Sequence, residues 1–196
     1  MVFNFLDELI NKKYKMLKIA THNSGTGEPS KNWIHRLFTP FSKCQDKTIT
    51  EQLEAGVRYF DFRVNKNLML CHGLWVSKTS LDEALKILNE FPEITYYRVV
   101  IERKNANHLL DTIIKNTVYK YTHCRLAEII QKKPWRTLRT YRNIPLLVGY
   151  VSVPTPEQYF KLSIRLWKRY IPIPRVLSKY AKYEFNKDTF TMVDFI

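Results

Sequence analysis

Segments that read as strands alternate with segments that read as helices along this 196-residue chain, and no other feature limits its fold more tightly. Phe3, Leu6 and Ile10 share helical spacing, and the strand MLKIATHNS (16 to 24) follows. KTITEQLEAG reads as a helix, with Thr48 or Thr50 as its cap, Glu51 and Glu54 in its first turns and Gly56 at its end. VRYFDFRV and LMLCHGL are strands, and SLDEALKILNEF is a helix capped by Ser80 and Glu83 with the stripe Leu81, Ala84, Leu85, Leu88. Next come a strand at 96 to 104, the helix NANHLLDTIIKNTV, a helical region through LAEIIQKKPWRTL and the strand IPLLVGYV (144 to 151). EQYFKLSIRLWKRY reads as helical, IPIP breaks it, and TFTMVDFI is the last strand. The pattern predicts an α/β fold, a small or distorted (β/α) TIM-type barrel with fewer than eight regular strands, forming one domain over residues 1–196.

VRYFDFRV carries charge on both faces, with Val57, Tyr59, Asp61 and Arg63 on one and Arg58, Phe60, Phe62 and Val64 on the other. An ordinary core strand does not do this. His22, Arg63, His72, Lys104 and Asp194 all fall in or at the ends of strands, where (β/α) barrels carry their chemistry. His35, His108 and His123 lack such company and read as satisfied polar residues.

The formal net charge is +14, and residues 125 to 183 hold thirteen Lys/Arg against Glu128 and Glu157. A patch of that density calls for an anionic partner, whether nucleic acid, an anionic membrane or a phosphorylated substrate. Lys or Arg interrupts every apolar run before it reaches spanning length, and the N-terminus lacks signal-peptide order. A cytoplasmic or peripheral-membrane protein is expected. Cys44, Cys71 and Cys124 have neither disulfide nor zinc spacing, and the glycines of SGTGEPSK read as loop-formers without the ending of a P-loop.

ATHNSGT (20 to 26), SKCQDKTITEQLEAGVRYFDFRV (42 to 64) and LCHGLW (70 to 75), in that order and spacing, resemble the X-region of phosphatidylinositol-specific phospholipases C. The resemblance runs through about residue 105 and returns at TMVDF. It implies cleavage of a phosphodiester, on phosphatidylinositol or a related anionic phospholipid, through attack by the neighbouring inositol hydroxyl. By that resemblance His22 is the base, His72 the acid, Arg63 the phosphate anchor and Asp194 the carboxylate that orients the base. Imidazoles suit both proton-transfer roles because their pKa lies near neutrality. Asp61 shares a strand face with Arg63 and is placed to orient it.

Calcium-dependent relatives place carboxylates where this chain, by the same resemblance, has Arg63 and Lys104. A fixed cation cannot share a site with Ca²⁺, so no metal cofactor is expected, with Ca²⁺ as the alternative raised by Asn23. Bacterial-type relatives carry Asp at that position, paired with the acid histidine. An amide orients His72 without stabilising its charge, so a weakened homologue that binds phospholipid headgroups is the rival reading. A glycerophosphodiester phosphodiesterase is another, although its HRG signature is absent. Trp167, Tyr170 and Tyr180, interleaved with Lys168, Arg169 and Lys179, suit either an anionic membrane surface or a core helix with a solvated face. No nucleic-acid motif is present, and the expected state is a monomer.

Overall fold

The computed structural model describes residues 18–102, 108–131, 136–140, 163–166, 169–172, 175 and 190–196. Its main sheet runs β10-β1-β2-β5-β6-β7, where β1 is Ile19–Thr21, β2 Val57–Val64, β5 Tyr96–Ile101, β6 Arg125–Gln131, β7 Arg136–Thr140 and β10 Thr191–Val193. Neighbours from β10 to β6 are parallel and β7 closes the row antiparallel. This is the barrel-type α/β arrangement expected, but among the described residues the sheet is open, not closed.

Between β2 and β5 the chain forms a hairpin of β3 (Met69–His72) and β4 (Trp75–Ser80), then a helix at Leu81–Glu90. Gly73, with φ of 63°, makes the tight turn after His72 in a left-handed conformation that a side chain would strain. Ser80 and Glu83 form the reciprocal capping box, and Leu81, Ala84, Leu85 and Leu88 are buried. They join a core containing Phe60, Phe62 and Val64, the outer face of β2. The opposite face takes Tyr59 into a second cluster with Ala20, Phe190 and Met192, and carries Asp61 and Arg63 above it. The two-sided charge of β2 thus separates a helix-covered face from the face that carries the site.

Thr48, not Thr50, caps the helix Ile49–Glu54, again with Glu51 completing a capping box. Gly27 permits a close approach here: a Cβ on it would meet the Lys47 carbonyl at 1.7 Å. Beside it Thr26 Oγ1 accepts from the Cys44 and Gln45 backbone N–H groups at 2.9 and 3.1 Å, holding the loop 42–48 in place.

Two helical expectations are corrected. LAEIIQ and RTLRT are the paired strands β6 and β7. Ile129 and Ile130 are both buried, and parallel pairing with β5 consumes the backbone groups a helix would have used. Part of EQYFKLSIRLWKRY is also extended, with β8 (Ser163–Leu166) antiparallel to β9 (Arg169–Pro172). The alternation Ser163, Ile164, Arg165, Leu166 has the period of a strand. The expected N-terminal helix, Lys104 and the strand 144 to 151 lie outside the described residues.

Candidate active site

β1 and β10 pair in register, so the residues that follow them, His22 and Asp194, lie side by side. His22 N–H donates to the Val193 carbonyl at 3.0 Å. Gln45 Nε2 donates to the His22 carbonyl at 3.1 Å and the Val193 carbonyl at 2.9 Å, locking the two strand ends together. The side chains then meet, with His22 Nδ1 2.9 Å from Asp194 Oδ1. On the other ring edge an Arg63 terminal nitrogen lies 2.9 Å from Nε2. Because a guanidinium only donates, Nε2 must accept and Nδ1–H must donate to Asp194. The network therefore fixes a neutral ring with its lone pair toward the site, the tautomer a general base requires.

Arg63 also donates to Glu102 Oε1 at 3.3 Å, while its buried Nε has no hydrogen-bond partner. A buried guanidinium N–H without a protein acceptor suits an anionic ligand. Beneath it Asp61 is fully buried and receives Arg98 Nε at 2.6 Å and the Asn23 backbone N–H at 3.1 Å. Arg98 also reaches Glu128 at 3.5 Å, and in register Asp61, Arg98 and Glu128 form a row across β2, β5 and β6. Burial by itself would raise the Asp61 pKa, but the charges of Arg98 and then Arg63 outweigh it and hold the carboxyl well below the usual range. Asp61 is thus a permanent anion. It lies 3.9 Å from both Arg63 Nε and His22 Nε2, beyond hydrogen-bond reach of either.

His72 has different company. Its Nδ1 donates to the Ser42 carbonyl at 2.6 Å, with Asn23 Nδ2 at 3.4 Å and Cys44 Sγ at 4.0 Å. Asn23 sits in the left-handed region (φ 48°), where Asn is among the tolerated residues. With its amide nitrogen on Cys44 Sγ at 3.2 Å, its Oδ1 is buried without a partner. Burial first, then the Arg63 charge, push the His72 pKa down to about 4, against the Ser42 carbonyl, which favours the charged ring. His72 is therefore neutral at pH 7 without a bound anion.

The structure brings His22, Asn23, Asp61, Arg63, His72 and Asp194 together, whereas Lys104 is outside the described residues. Ser42, Cys44, Gln45, Arg98 and Glu128 were missed, and only the shared strand face of Asp61 and Arg63 hinted at such a charge row. His35 bonds the Leu74 carbonyl at 2.9 Å, a structural role. Two clefts flank the site, one of about 590 Å³ bordered by Lys43, Trp75 and Phe195, and one of about 340 Å³ bordered by Cys71, Gly73 and Glu102. Neither is lined by His22 or His72, which the charge network marks better than cleft size does.

No protein-family model matches the chain. Over 106 residues, 52% of its length, it is 29% identical to the 1-phosphatidylinositol phosphodiesterase of Listeria monocytogenes serovar 1/2a. That match spans 33% of the Listeria protein. Among solved structures, the phosphatidylinositol-specific phospholipase C from Listeria monocytogenes superposes with a TM-score of 0.59 at 17% identity, covering 93% of this chain and 89% of that one. A double mutant of the Staphylococcus aureus enzyme gives 0.50 at 12% identity, covering 92% and 86%. In sequence over about half its length this chain is similar to a bacterial 1-phosphatidylinositol phosphodiesterase, and over nearly all of its length it shares the fold of the bacterial phosphatidylinositol-specific phospholipases C.

Proposed function

We propose that this chain cleaves a phosphodiester by general acid/base catalysis in the manner of a phospholipase C, acting on phosphatidylinositol or a related anionic phospholipid. The observation that carries the reading is the Asp194–His22–Arg63 chain, with contacts of 2.9 Å on each side of the imidazole. In this reading the substrate phosphate takes up the Arg63 guanidinium and frees Nε2 to accept a proton from the attacking hydroxyl. Asp194 stabilises the imidazolium so formed, and Arg63 stabilises the charge growing on phosphorus oxygens. His72 delivers a proton to the departing glycerol oxygen. Arg63 and Lys104 supply positive charge that a metal ion would otherwise bring, so turnover withstands chelation. Asn23 and Asp61 are supports, the latter by fixing the site's electrostatics.

Access to a lipid substrate is supported by an exposed apolar patch. Trp33 (72% exposed), Ile34, Leu37 (62%) and Leu74 project from the short helix at Trp33–Arg36 and the β3–β4 turn. Lys31, Arg36 and Lys78 line one shallow cleft with Trp33. Rings and aliphatic groups beside cations suit peripheral binding to an anionic bilayer. Among the described residues no helix is long and apolar enough to cross a membrane.

The depressed His72 pKa favours a second reading, a homologue that binds the headgroup and turns it over slowly. Purified His22→Ala and His72→Ala variants assayed on phosphatidylinositol vesicles with chelator separate the two. The catalytic reading expects loss of about a hundred- to ten-thousandfold in each. Activity equal to wild type in His22→Ala would refute it.

A further inference from the structure

Cys44 has no part in the proposed chemistry, yet its sulfur sits among the catalytic groups. A ring nitrogen of His22, Cys44 Sγ and an Asp194 carboxylate oxygen all lie within 4.8 Å of one another. The backbone of Cys44 is clamped on both sides, its N–H donating to Thr26 Oγ1 at 2.9 Å and its carbonyl accepting from Phe195 N–H at 2.8 Å. The second clamp ties the thiol loop to the residue after Asp194, so the three donors come from segments held in one position.

We infer that Cys44, His22 and Asp194 form an inhibitory site for a thiophilic divalent cation of the Zn²⁺ or Cd²⁺ type. A tetrahedral ion with bonds of about 2.0–2.3 Å sets its ligand atoms roughly 3.3–3.6 Å apart. Side-chain rotations of under about an ångström bring the present separations to that range. A set of one sulfur, one imidazole nitrogen and one carboxylate oxygen selects a borderline or soft ion over Ca²⁺, which demands oxygens alone. An independent feature points to the same place. The Asn23 side chain is 1% exposed, its Oδ1 has no hydrogen-bond partner, and turning the amide over puts that oxygen where Nδ2 now lies, 3.2 Å from Cys44 Sγ. It is available as a fourth ligand.

On binding, Cys44 releases its thiol proton to solvent, Arg63 withdraws from Nε2, and the His22 proton passes by way of solvent from Nδ1 to Nε2, leaving Sγ and Nδ1 lone pairs for the ion. Nε2 then carries a hydrogen and no longer acts as a base, and Asp194 no longer orients the ring. Metal binding stands on the geometry alone, whereas its inhibitory effect rests on the function proposed above.

The test is titration of the full chain with Cd²⁺, read by the ultraviolet thiolate-to-metal charge-transfer band, beside Zn²⁺ inhibition of phosphodiester cleavage. One Cd²⁺ per chain with a single-thiolate band is expected. Cys44→Ser, with its fold verified by circular dichroism, should lose the band and bind at least about tenfold more weakly, since losing a ligand costs no less than losing an outer-shell partner. Measured against its own metal-free activity, Zn²⁺ should inhibit it at least about tenfold less potently. Cys71→Ser should retain the band. Should Cys44→Ser fail to fold, ring ¹⁵N NMR of the wild type provides the second measurement: Cd²⁺ should shift His22 and leave His35 and His123 unmoved. A Cys44→Ser variant that binds Cd²⁺ like wild type, or a wild type without a band or His22 shift at stoichiometric metal, would overturn the site. A band without any basal turnover would instead count against the phosphodiesterase reading and leave the metal site standing.

Discussion

The two sides of the site are built to different standards. On the His22 side, a carboxylate at 2.9 Å and a guanidinium at 2.9 Å fix tautomer and orientation, and Gln45 ties both strand ends. On the His72 side the ring donates to the Ser42 carbonyl, with an amide nitrogen and a thiol as its other near neighbours, all neutral, and the pKa falls to about 4. A pKa so far below neutrality leaves the free ring neutral at pH 7. In the proposed reading the base is prepared before substrate arrives, whereas the acid depends on what binds: an anionic phosphate would offset the Arg63 charge and restore proton affinity to His72.

Breaking the stronger side should cost most. Asp194→Asn removes the stabiliser of the His22 imidazolium and lets the ring take the wrong tautomer, so kcat should fall about a hundredfold or more with KM little changed. Steady-state kinetics on phosphatidylinositol vesicles check this, and an equal change in KM alone would assign Asp194 to binding. Improving the weaker side should give a gain. Asn23→Asp keeps a residue type that tolerates φ of 48° and sets a carboxylate beside His72. Each unit recovered in the His72 pKa should raise kcat/KM at pH 7 by about tenfold and move the basic limb of the profile upward by the same amount. An unmoved limb would mean that His72 is not the group titrating.

The smallest effect concerns stability. The His72 pKa is lower folded than the ordinary 6.5, so the unfolded chain binds more protons between pH 6.5 and about 4. Stability is complete above that window and falls as pH drops through it, by up to about 3 kcal/mol. Asp61 has the same sign but acts lower, since its stabilising charge persists above the ordinary carboxyl value of 3.8 and is lost only in stronger acid. Urea unfolding at pH 7 and pH 5 should show the His72 contribution in wild type and its absence in His72→Gln.

How much was legible in the sequence follows the same division. The alternating faces of β2, the two capping boxes and the histidines at strand ends are local patterns, and the fold honours them. Ser42, Gln45 and Arg98 are silent in the sequence because their roles depend on a loop folding back and on register between strands distant in the chain. The helical readings of 125 to 140 and 163 to 172 failed for a related reason. Short apolar runs fit either period, and strand partners elsewhere in the chain decide between them. Asn23 was visible as a departure, but its consequence for His72 needed the burial and the Arg63 charge that the fold supplies.

The division of labour between the histidines is tested most directly by changing the leaving group. A phenolate leaves without a proton, whereas the alkoxide of diacylglycerol needs one. On an aryl ester of inositol phosphate, His72→Ala should therefore retain nearly wild-type kcat/KM, while His22→Ala loses at least about a hundredfold on both aryl and diacylglycerol substrates. Equal losses for the two variants on the aryl ester, or wild-type cleavage of phosphatidylinositol by His72→Ala, would contradict the assignment of His22 as base and His72 as acid.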